Sequence, residues 1–293
     1  MTLRTSTTEN IVAVILEYHR PDATLKCIRS LADAGIRRIL VWDNSTDDGL
    51  TRTALHKAVV MDEALTKCVK IVGNNINLGF SAGVNAAIGV VSDTEPTRYV
   101  LLMNNDATIN PEGVLALLDE LLCEPTNALA APQQLSSKSQ SNALLYYHAF
   151  LAALTHKKYL GSFAFLSGCC LLLDLEKTGT SPLDTAFFMY GEDVALSSRL
   201  RKEGFTLAIA SAAKVEHVGS ASSIVGSAFY EYHVARGHLL LTSRISRSWL
   251  HAFILWPPRL TSLATRSLVR AVRARSTVPI VALWRALLGA GAG

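Results

Sequence analysis

The sequence predicts an α/β fold with a mostly parallel sheet flanked by helices. Short apolar runs alternate with helix-length amphipathic segments through the first half of the chain, and polar clusters follow the apolar runs. Repeated strand–helix units favour right-handed crossovers and parallel strand pairing. A chain of 293 residues, 49% of them hydrophobic, is long enough to bury a full core.

The predicted elements follow one another closely. Strands are expected at 11–16, 38–42, 68–72, 98–103 and 206–210, and helices at 21–34, 51–65, 79–90, 111–122 and 194–203. The continuous apolar run Ile11 to Leu16 is typical of a parallel strand buried on both faces. Pro111 occupies the favoured first position of its helix, and Gly204 ends the last one. Segment 133–159 is loosely patterned, which indicates a flexible or acceptor-facing region.

The composition narrows the class of protein. Five cysteines without a CxxC spacing indicate a reducing compartment and no disulfide framework. Residues 1–10 lack the apolar core of a secretory signal, and no window reaches the roughly 18 apolar residues of a spanning helix. We therefore expect a cytoplasmic protein, and we expect no nucleic-acid partner.

The charge is distributed unevenly along the chain. Residues 244–293 contain eight arginines and no Asp, Glu or Lys, which leaves 20 basic and 24 acidic residues in 1–243. This shift predicts a catalytic domain at 1–243 and a basic amphipathic helical tail at 244–293.

A helical wheel of the tail separates basic from apolar side chains. Arg259, Arg266, Arg270 and Arg273 fall on one side, and apolar residues such as Leu260 and Leu268 spread over the other. Prolines 257, 258 and 279 are expected to break the tail into short segments. A basic amphipathic helix suits an anionic membrane surface, and for this chain we expect the cytoplasmic side of a membrane. The alternatives are packing on the catalytic domain or an oligomer contact.

Polar clusters follow four predicted strands, at 17–20, 43–44, 74–77 and 104–106. Ligands of open α/β sheets bind beyond the carboxyl ends of the strands. The four clusters therefore predict one shared site.

Two of these clusters offer metal or nucleotide contacts. Asn104-Asn105-Asp106 supplies oxygen ligands for Mg²⁺ or Mn²⁺, although the same residues favour a simple turn. Asp43 could bind a uracil or thymine imide or a ribose hydroxyl, or serve only as a turn residue. His217 is a candidate metal or phosphate ligand, and its alternative is a structural histidine.

Two further segments lie at the N-termini of predicted helices, where they could bind a ligand or take part in catalysis. Segment 77–85 resembles a phosphate-approach loop, but it has neither the GxxxxGK[ST] nor the GxGxxG pattern. Glu192 and Asp193 stand at the mouth of a predicted helix, where negative charge is stabilised and an acid can serve as a base. A metal-assisted transfer enzyme typically combines an acid at a strand end, an acid at a helix N-terminus and a histidine, and this sequence contains all three.

Taken in order, these pieces resemble the inverting bacterial nucleotide-sugar glycosyltransferases of the GT-A fold, and rhamnosyltransferase-like members most of all. The resemblance runs from about residue 11 to 223. Its specific pieces are Val41 to Ser45, Asn77 to Phe80 with Asn85, Asn104 to Asp106, Ser167 to Cys169, Phe187 to Asp193 with Arg199 to Arg201, and His217.

The resemblance implies a role for each matching residue. Asp193 would be the catalytic base, and Asn104, Asp106 and His217 would form the metal site. Glu192 and Tyr190 would contact the acceptor. The donor nucleotide sugar would be bound by Tyr18, Asp43, Asn44, Asn77, Gly79, Phe80, Asn85 and Asn105.

Two departures from the family pattern affect these roles. Glu17-Tyr18-His19 replaces the usual Thr-Tyr-Asn, and residues 194–198 lack the second Asp that usually follows the base. The implied reaction moves L-rhamnose from dTDP-rhamnose to a glycan or lipid-linked acceptor. Alternatives are galactofuranosyl or hexosyl transfer from a UDP-sugar, a sugar nucleotidyltransferase and a non-catalytic nucleotide-sugar-binding module.

Overall fold

The predicted alternation of strands and helices is observed through the first half of the chain. The computed structural model describes residues 8–94, 96–136, 139–142, 144–217 and 224–289. The strands are β1 Ile11–Glu17, β2 Ile39–Asp43, β3 Val69–Gly73, β4 Tyr99–Asn104, β5 Ala107–Ile109, β6 Asn127–Ser136, β7 Ser139–Asn142, β8 Leu144–His148, β9 Ala153–Thr155, β10 Ser162–Leu166, β11 Cys170–Asp174 and β12 Thr206–His217. The helices are α1 Pro21–Asp33, α2 Leu50–Val60, α3 Glu63–Thr66, α4 Gly79–Thr94, α5 Gly113–Cys123, α6 Leu175–Thr178, α7 Glu192–Lys202, α8 Ala228–Ile245, α9 Trp249–Ala274 and α10 Val278–Leu288.

Four parallel strands in the order β3-β2-β1-β4 form the first half of the main sheet. Their register places Glu17 beside Asp43 and Leu16 beside Asn104. The polar clusters that follow these strands therefore emerge at one edge of the sheet, as the sequence predicts. Apolar side chains fill the space between the sheet and the helices on both of its faces.

The second half of the sheet is mixed rather than parallel. β11 runs antiparallel to β4 and to β6, β12 is parallel to β6, and β5 closes the order antiparallel to β12. The flexible alternative for segment 133–159 is wrong, because its described residues contribute to β6 and form β7, β8 and β9. The acceptor-facing alternative stays a prediction. Strands β10-β8-β9 make a second, antiparallel sheet. Their aromatic and hydroxyl-rich composition suits strands whose two faces are only partly buried.

Two helix boundaries differ from expectation for local reasons. The predicted helix 51–65 is divided in two, because the Asp62 side chain caps α3 by accepting from the Ala64 and Leu65 N–H groups at 3.2 and 3.4 Å. Pro111 precedes rather than starts α5, since the Gly113 N–H already bonds the Asn110 carbonyl. The expected end of the helix at Gly204, here α7, is confirmed by its φ of 88°.

Helices α8, α9 and α10 pack against the second sheet and α7 through a third apolar cluster. Its members include Tyr147, Phe165, Val194, Leu239, Leu255, Leu263 and Leu283. The composition boundary at residue 244 falls inside α8, so the tail continues a helix that belongs to this packing. Among the described residues, no helix combines the length and apolar character needed to cross a bilayer.

The orientation of α9 corrects two expectations about the tail. The helix is continuous through Pro257 and Pro258, which therefore do not divide it, whereas Pro279 does begin a new helix. Arg259 is fully buried, Arg266 donates to the Ala152 carbonyl, and Arg270 pairs with the buried Glu231. Three of the four arginines predicted to face lipid therefore hold the tail against the rest of the chain.

Candidate active site

The carboxyl edge of the parallel strands opens into a cleft of about 370 Å³. Of the fourteen residues that the sequence assigns to a site, all but Asp43 and Asn85 line it. Those twelve are Tyr18, Asn44, Asn77, Gly79, Phe80, Asn104, Asn105, Asp106, Tyr190, Glu192, Asp193 and His217. Strand ends, the entry of α4 and the first turn of α7 thus converge on one space.

Asp193 is held in the cleft by backbone N–H groups. Gly191 adopts a φ of 105° and lets the chain turn into α7, whose first turn carries both acids. Asp193 Oδ1 accepts from the Val194 N–H at 2.8 Å, and Oδ2 accepts from the Gly168 N–H at 3.3 Å. Burial raises the pKa of Asp193, and these N–H groups offset part of that rise. A carboxylate so placed is ionised and basic at neutral pH.

Glu192 is the buried neighbour of Asp193. Its side chain is buried, and its Oε2 has no hydrogen-bond partner among the described residues. Burial and then the negative charge of Asp193 raise the pKa of Glu192. Two adjacent buried carboxyls with raised pKa values therefore stand at the first turn of α7.

A second group lies where β4 and β12 end. His217 Nε2 is 3.1 Å from Asp106 Oδ1 and 3.4 Å from Asn104 Nδ2. Asn104 Oδ1 is buried without a hydrogen-bond partner in the described structure. A carboxylate, an imidazole and an unused amide oxygen fit a divalent cation whose remaining ligands come from substrate phosphates. Within the described ranges, no three or more His, Cys, Asp or Glu side chains are grouped so that they could hold a metal ion by themselves. Residues 218–223, which follow His217, lie outside those ranges.

The turn that begins α4 is tied to β2 and to the loop before α7. Asn44 Nδ2 donates to Asn77 Oδ1 at 2.9 Å, and Asn44 Oδ1 accepts from the Leu78 N–H at 3.0 Å. Gly79 has a φ of 78°, and a Cβ there would meet the Phe188 carbonyl at 2.6 Å. Only glycine permits this approach, which brings the two halves of the cleft together.

Several predicted donor residues make contacts within the protein. Asp43 is fully buried beneath the cleft, with Oδ1 bonded to the Ser45 N–H and Oδ2 without a partner in the described structure. Asn85 bonds both the N–H and the carbonyl of Leu183. Asn105 Nδ2 donates to the buried Glu17 at 3.0 Å. Their roles toward a donor stay predictions.

The cleft also contains residues without an assigned role in the sequence analysis. They are Leu16, Ser167, Gly168, Cys169, Phe188, Met189 and Phe229. Residues 167–169 belong to the family resemblance, but the contact between Gly168 and Asp193 is apparent only from the structure. Phe229 comes from α8, where it packs edge-on to Phe188. No sequence spacing links that helix to the strand ends.

Residues 12–177 match the family model of Glycosyl transferase family 2. The matched residues form more than half of the chain. This chain belongs to glycosyl transferase family 2. The match confirms the expected enzyme class, and it ends before Asp193 and His217. The placement of these two residues in the family 2 cleft therefore comes from the geometry above.

A curated rhamnosyltransferase is similar in sequence to this glycosyltransferase. An N-acetylglucosaminyl-diphospho-decaprenol L-rhamnosyltransferase of Mycobacterium tuberculosis is 27% identical over 280 residues, covering 84% of this chain and 88% of the relative. The same protein in a second strain matches equally.

Solved structures agree on the fold. A mannosyltransferase from Pyrobaculum calidifontis in complex with GDP-Man and Mn²⁺ superposes with a TM-score of 0.57 at 14% identity, covering 95% of this chain and 86% of that chain. GalNAc-T7 with UDP, GalNAc and Mn²⁺ also gives 0.57, at 11% identity, over 78% of this chain and 47% of that chain. These neighbours confirm the expected GT-A architecture.

Proposed function

We propose that this family 2 glycosyltransferase is inverting and transfers L-rhamnose from dTDP-rhamnose to a hydroxyl of a lipid-linked or growing cell-surface glycan. The observation that supports it best is one cleft shared by a backbone-held carboxylate, Asp193, and the Asp106–His217 pair. The similarity to a rhamnosyltransferase supports the choice of sugar. The alternative is a galactofuranosyl- or hexosyltransferase that uses a UDP-sugar.

The proposed reaction is a single in-line displacement. The acceptor hydroxyl gives its proton to Asp193 while its oxygen bonds to the anomeric carbon of the donor. The bond from that carbon to the nucleoside diphosphate breaks, and the diphosphate leaves with the electron pair. In this reaction Glu192 would form a hydrogen bond with the acceptor rather than take its proton.

A donor panel tests the sugar. Purified enzyme is incubated with dTDP-rhamnose, UDP-galactofuranose, UDP-glucose or GDP-mannose and a synthetic N-acetylglucosaminyl diphosphate acceptor that carries a short alkyl chain. Released nucleoside diphosphate and glycosylated acceptor are both quantified. Transfer from dTDP-rhamnose alone supports the proposal, and transfer from a UDP-sugar alone supports the alternative.

A divalent cation fits the chemistry of Asp106, His217 and Asn104, which would hold it together with donor phosphates. When bound, Mg²⁺ or Mn²⁺ would stabilise negative charge on the departing diphosphate. The proposed cofactor is therefore a metal shared by protein and donor.

Chelation should abolish transfer, and added Mg²⁺ or Mn²⁺ should restore it. Asp106→Ala should weaken Mn²⁺-dependent donor binding in calorimetry as well as turnover, because it removes the one carboxylate of the set. Asp119→Ala, an exposed acid on α5, is the matched control and should behave as wild type. Full activity of the wild type in excess chelator would contradict a metal role.

We also propose that α9 and α10 rest on the cytoplasmic face of the inner membrane. The arginine-bearing face of α9 turns inward, so apolar side chains turn outward. Exposed apolar residues of the two helices are Trp249, Leu250, Phe253, Ile254, Leu268, Val269, Val272, Ile280, Val281, Trp284, Leu287 and Leu288. Apolar and tryptophan side chains beside exposed cations such as Arg273 and Arg275 suit an anionic interface.

This orientation of α9 predicts that membrane binding depends only weakly on salt concentration. The full chain should sediment with anionic vesicles, and most of that binding should survive high salt, because apolar burial rather than arginine charge dominates. Phe253→Glu with Trp284→Glu should weaken binding at least about tenfold, since each large apolar side chain contributes roughly 1.5–3 kcal/mol. Met61→Glu, 89% exposed on another part of the surface, is the control. Equal binding by both variants would contradict the proposal.

A further inference from the structure

We propose that a second cavity, of about 280 Å³, is the acceptor subsite and that it takes the apolar chain attached to the acceptor sugar. This inference rests on the proposed function and names its acceptor class. The cavity lies between the second sheet, α7 and α8.

The cavity and the donor cleft share one wall. Ser167, Tyr190, Glu192 and Asp193 line both spaces. A sugar that enters from the second cavity therefore reaches the base from a different space than the donor occupies. An in-line displacement requires such a separation, because the attacking oxygen and the leaving group stand on opposite sides of the anomeric carbon.

Glu192 provides the polar recognition at that wall. Its side chain is 9% exposed, and its Oε2 has no hydrogen-bond partner within the described structure. Burial of a carboxyl oxygen without a hydrogen-bond partner is unfavourable. An acceptor hydroxyl at the shared wall would supply the missing hydrogen bond.

The rest of the wall suits a hydrocarbon chain. Leu145, Phe165, Val234 and Leu241 line it together with the ring of Tyr147. The Tyr147 hydroxyl is already bonded to Arg259 and to His238. A polar glycan chain would leave its hydroxyls unpaired against these groups, which is unfavourable.

The cavity reaches the surface next to the tail. Leu154 lines the cavity and is 57% exposed, so it stands at the opening. It follows the 149–152 turn, whose carbonyls accept hydrogen bonds from Arg259, Ser262 and Arg266 of α9. The other face of α9 is the exposed apolar surface described above. An acceptor chain can therefore pass from a bilayer beside α9 to Glu192 along apolar side chains.

Two synthetic acceptors test this inference. Both are glycosides of N-acetylglucosamine, one with a citronellyl chain and one with a methyl group at the anomeric oxygen. Because it buries several methylenes, the citronellyl compound should have a wild-type acceptor KM at least about tenfold lower than the methyl compound. Calorimetry of both compounds in the presence of dTDP should show the same preference without turnover.

Variants of the cavity wall localise the effect. Leu154→Asp and Val234→Trp should raise KM for the citronellyl acceptor about tenfold while leaving KM for the methyl acceptor and for the donor unchanged. Leu160→Asp, 99% exposed and outside the cavity wall, should match wild type. Equal wild-type affinity for both acceptors would overturn the inference, as would variants that affect both acceptors alike. Loss of transfer from every donor, with the citronellyl preference retained in calorimetry, would instead count against the proposed function.

Discussion

Replacement of Asp193 by asparagine should lower turnover by roughly 100- to 10,000-fold, the usual contribution of a positioned general base. Asparagine keeps the size of the side chain, and its oxygen can still accept from the Gly168 N–H, so the fold of α7 should be preserved. Donor affinity in calorimetry should stay within a few-fold of wild type, because the base acts on the acceptor.

The same experiment has a control and a pH signature. Glu203 follows the C-terminal end of α7 and pairs with Arg199. The control variant Glu203→Gln should keep wild-type turnover. Because burial raises the pKa of Asp193, wild-type kcat should fall on acidification with a midpoint above about 4, the ordinary value for Asp. Near-normal turnover by the Asn variant would transfer the role to Glu192.

Replacement of Arg259 by alanine should reduce the free energy of unfolding by at least about 3 kcal/mol. The guanidinium is fully buried and donates to Thr242 Oγ1 at 2.8 Å, to the Tyr147 hydroxyl at 2.9 Å and to the Ala149 carbonyl at 2.6 Å; it also donates to the His238 carbonyl. Truncation leaves these acceptors unsatisfied and opens a cavity where α9 meets the second sheet.

Urea unfolding measures that loss, with two companion variants. Arg259→Lys should recover part of the stability, since an ammonium cannot reach all four acceptors. Arg273→Ala, on the exposed side of the same helix, should change stability by no more than about 0.5 kcal/mol. A small effect of Arg259→Ala would mean that the tail contributes little to the fold.

The first half of the fold was predictable because its signals are local. Continuous apolar runs mark buried parallel strands, and proline and glycine mark the helix ends near Pro21 and Gly35. The mixed strands after residue 126 carry weaker patterns, because their pairing joins segments far apart in the chain. The pairing of β12 with β6, for example, joins residues 206–216 to 127–135.

The site was predictable to the extent that parallel strands end at one edge. That rule predicts that Tyr18, Asn44 and Asn104 lie together. The predicted N-terminus of a helix identifies Asp193 as a further site residue. The strand-end rule does not predict how deeply a side chain is buried, so it could not show that Asp43, expected to be a donor contact or a turn residue, is fully buried. The contribution of Phe229 required knowledge of how α8 crosses the cleft.

A helical wheel of the tail does not determine which face of α9 packs against the protein. Periodicity separates the arginines from the leucines, but it does not say which side meets the protein. Burial of Arg259 is possible because hydroxyls and the carbonyls of the 149–152 turn supply acceptors, none of which the tail sequence reveals.

The anomeric configuration of the product tests the central proposal most directly. With dTDP-rhamnose and the synthetic acceptor, proton and carbon NMR of the first-formed glycoside reports the configuration at the transferred carbon. A single displacement assisted by Asp193 predicts inversion relative to the donor. Retention would require a second displacement or a front-face reaction, and it would contradict the assignment of Asp193 as the base.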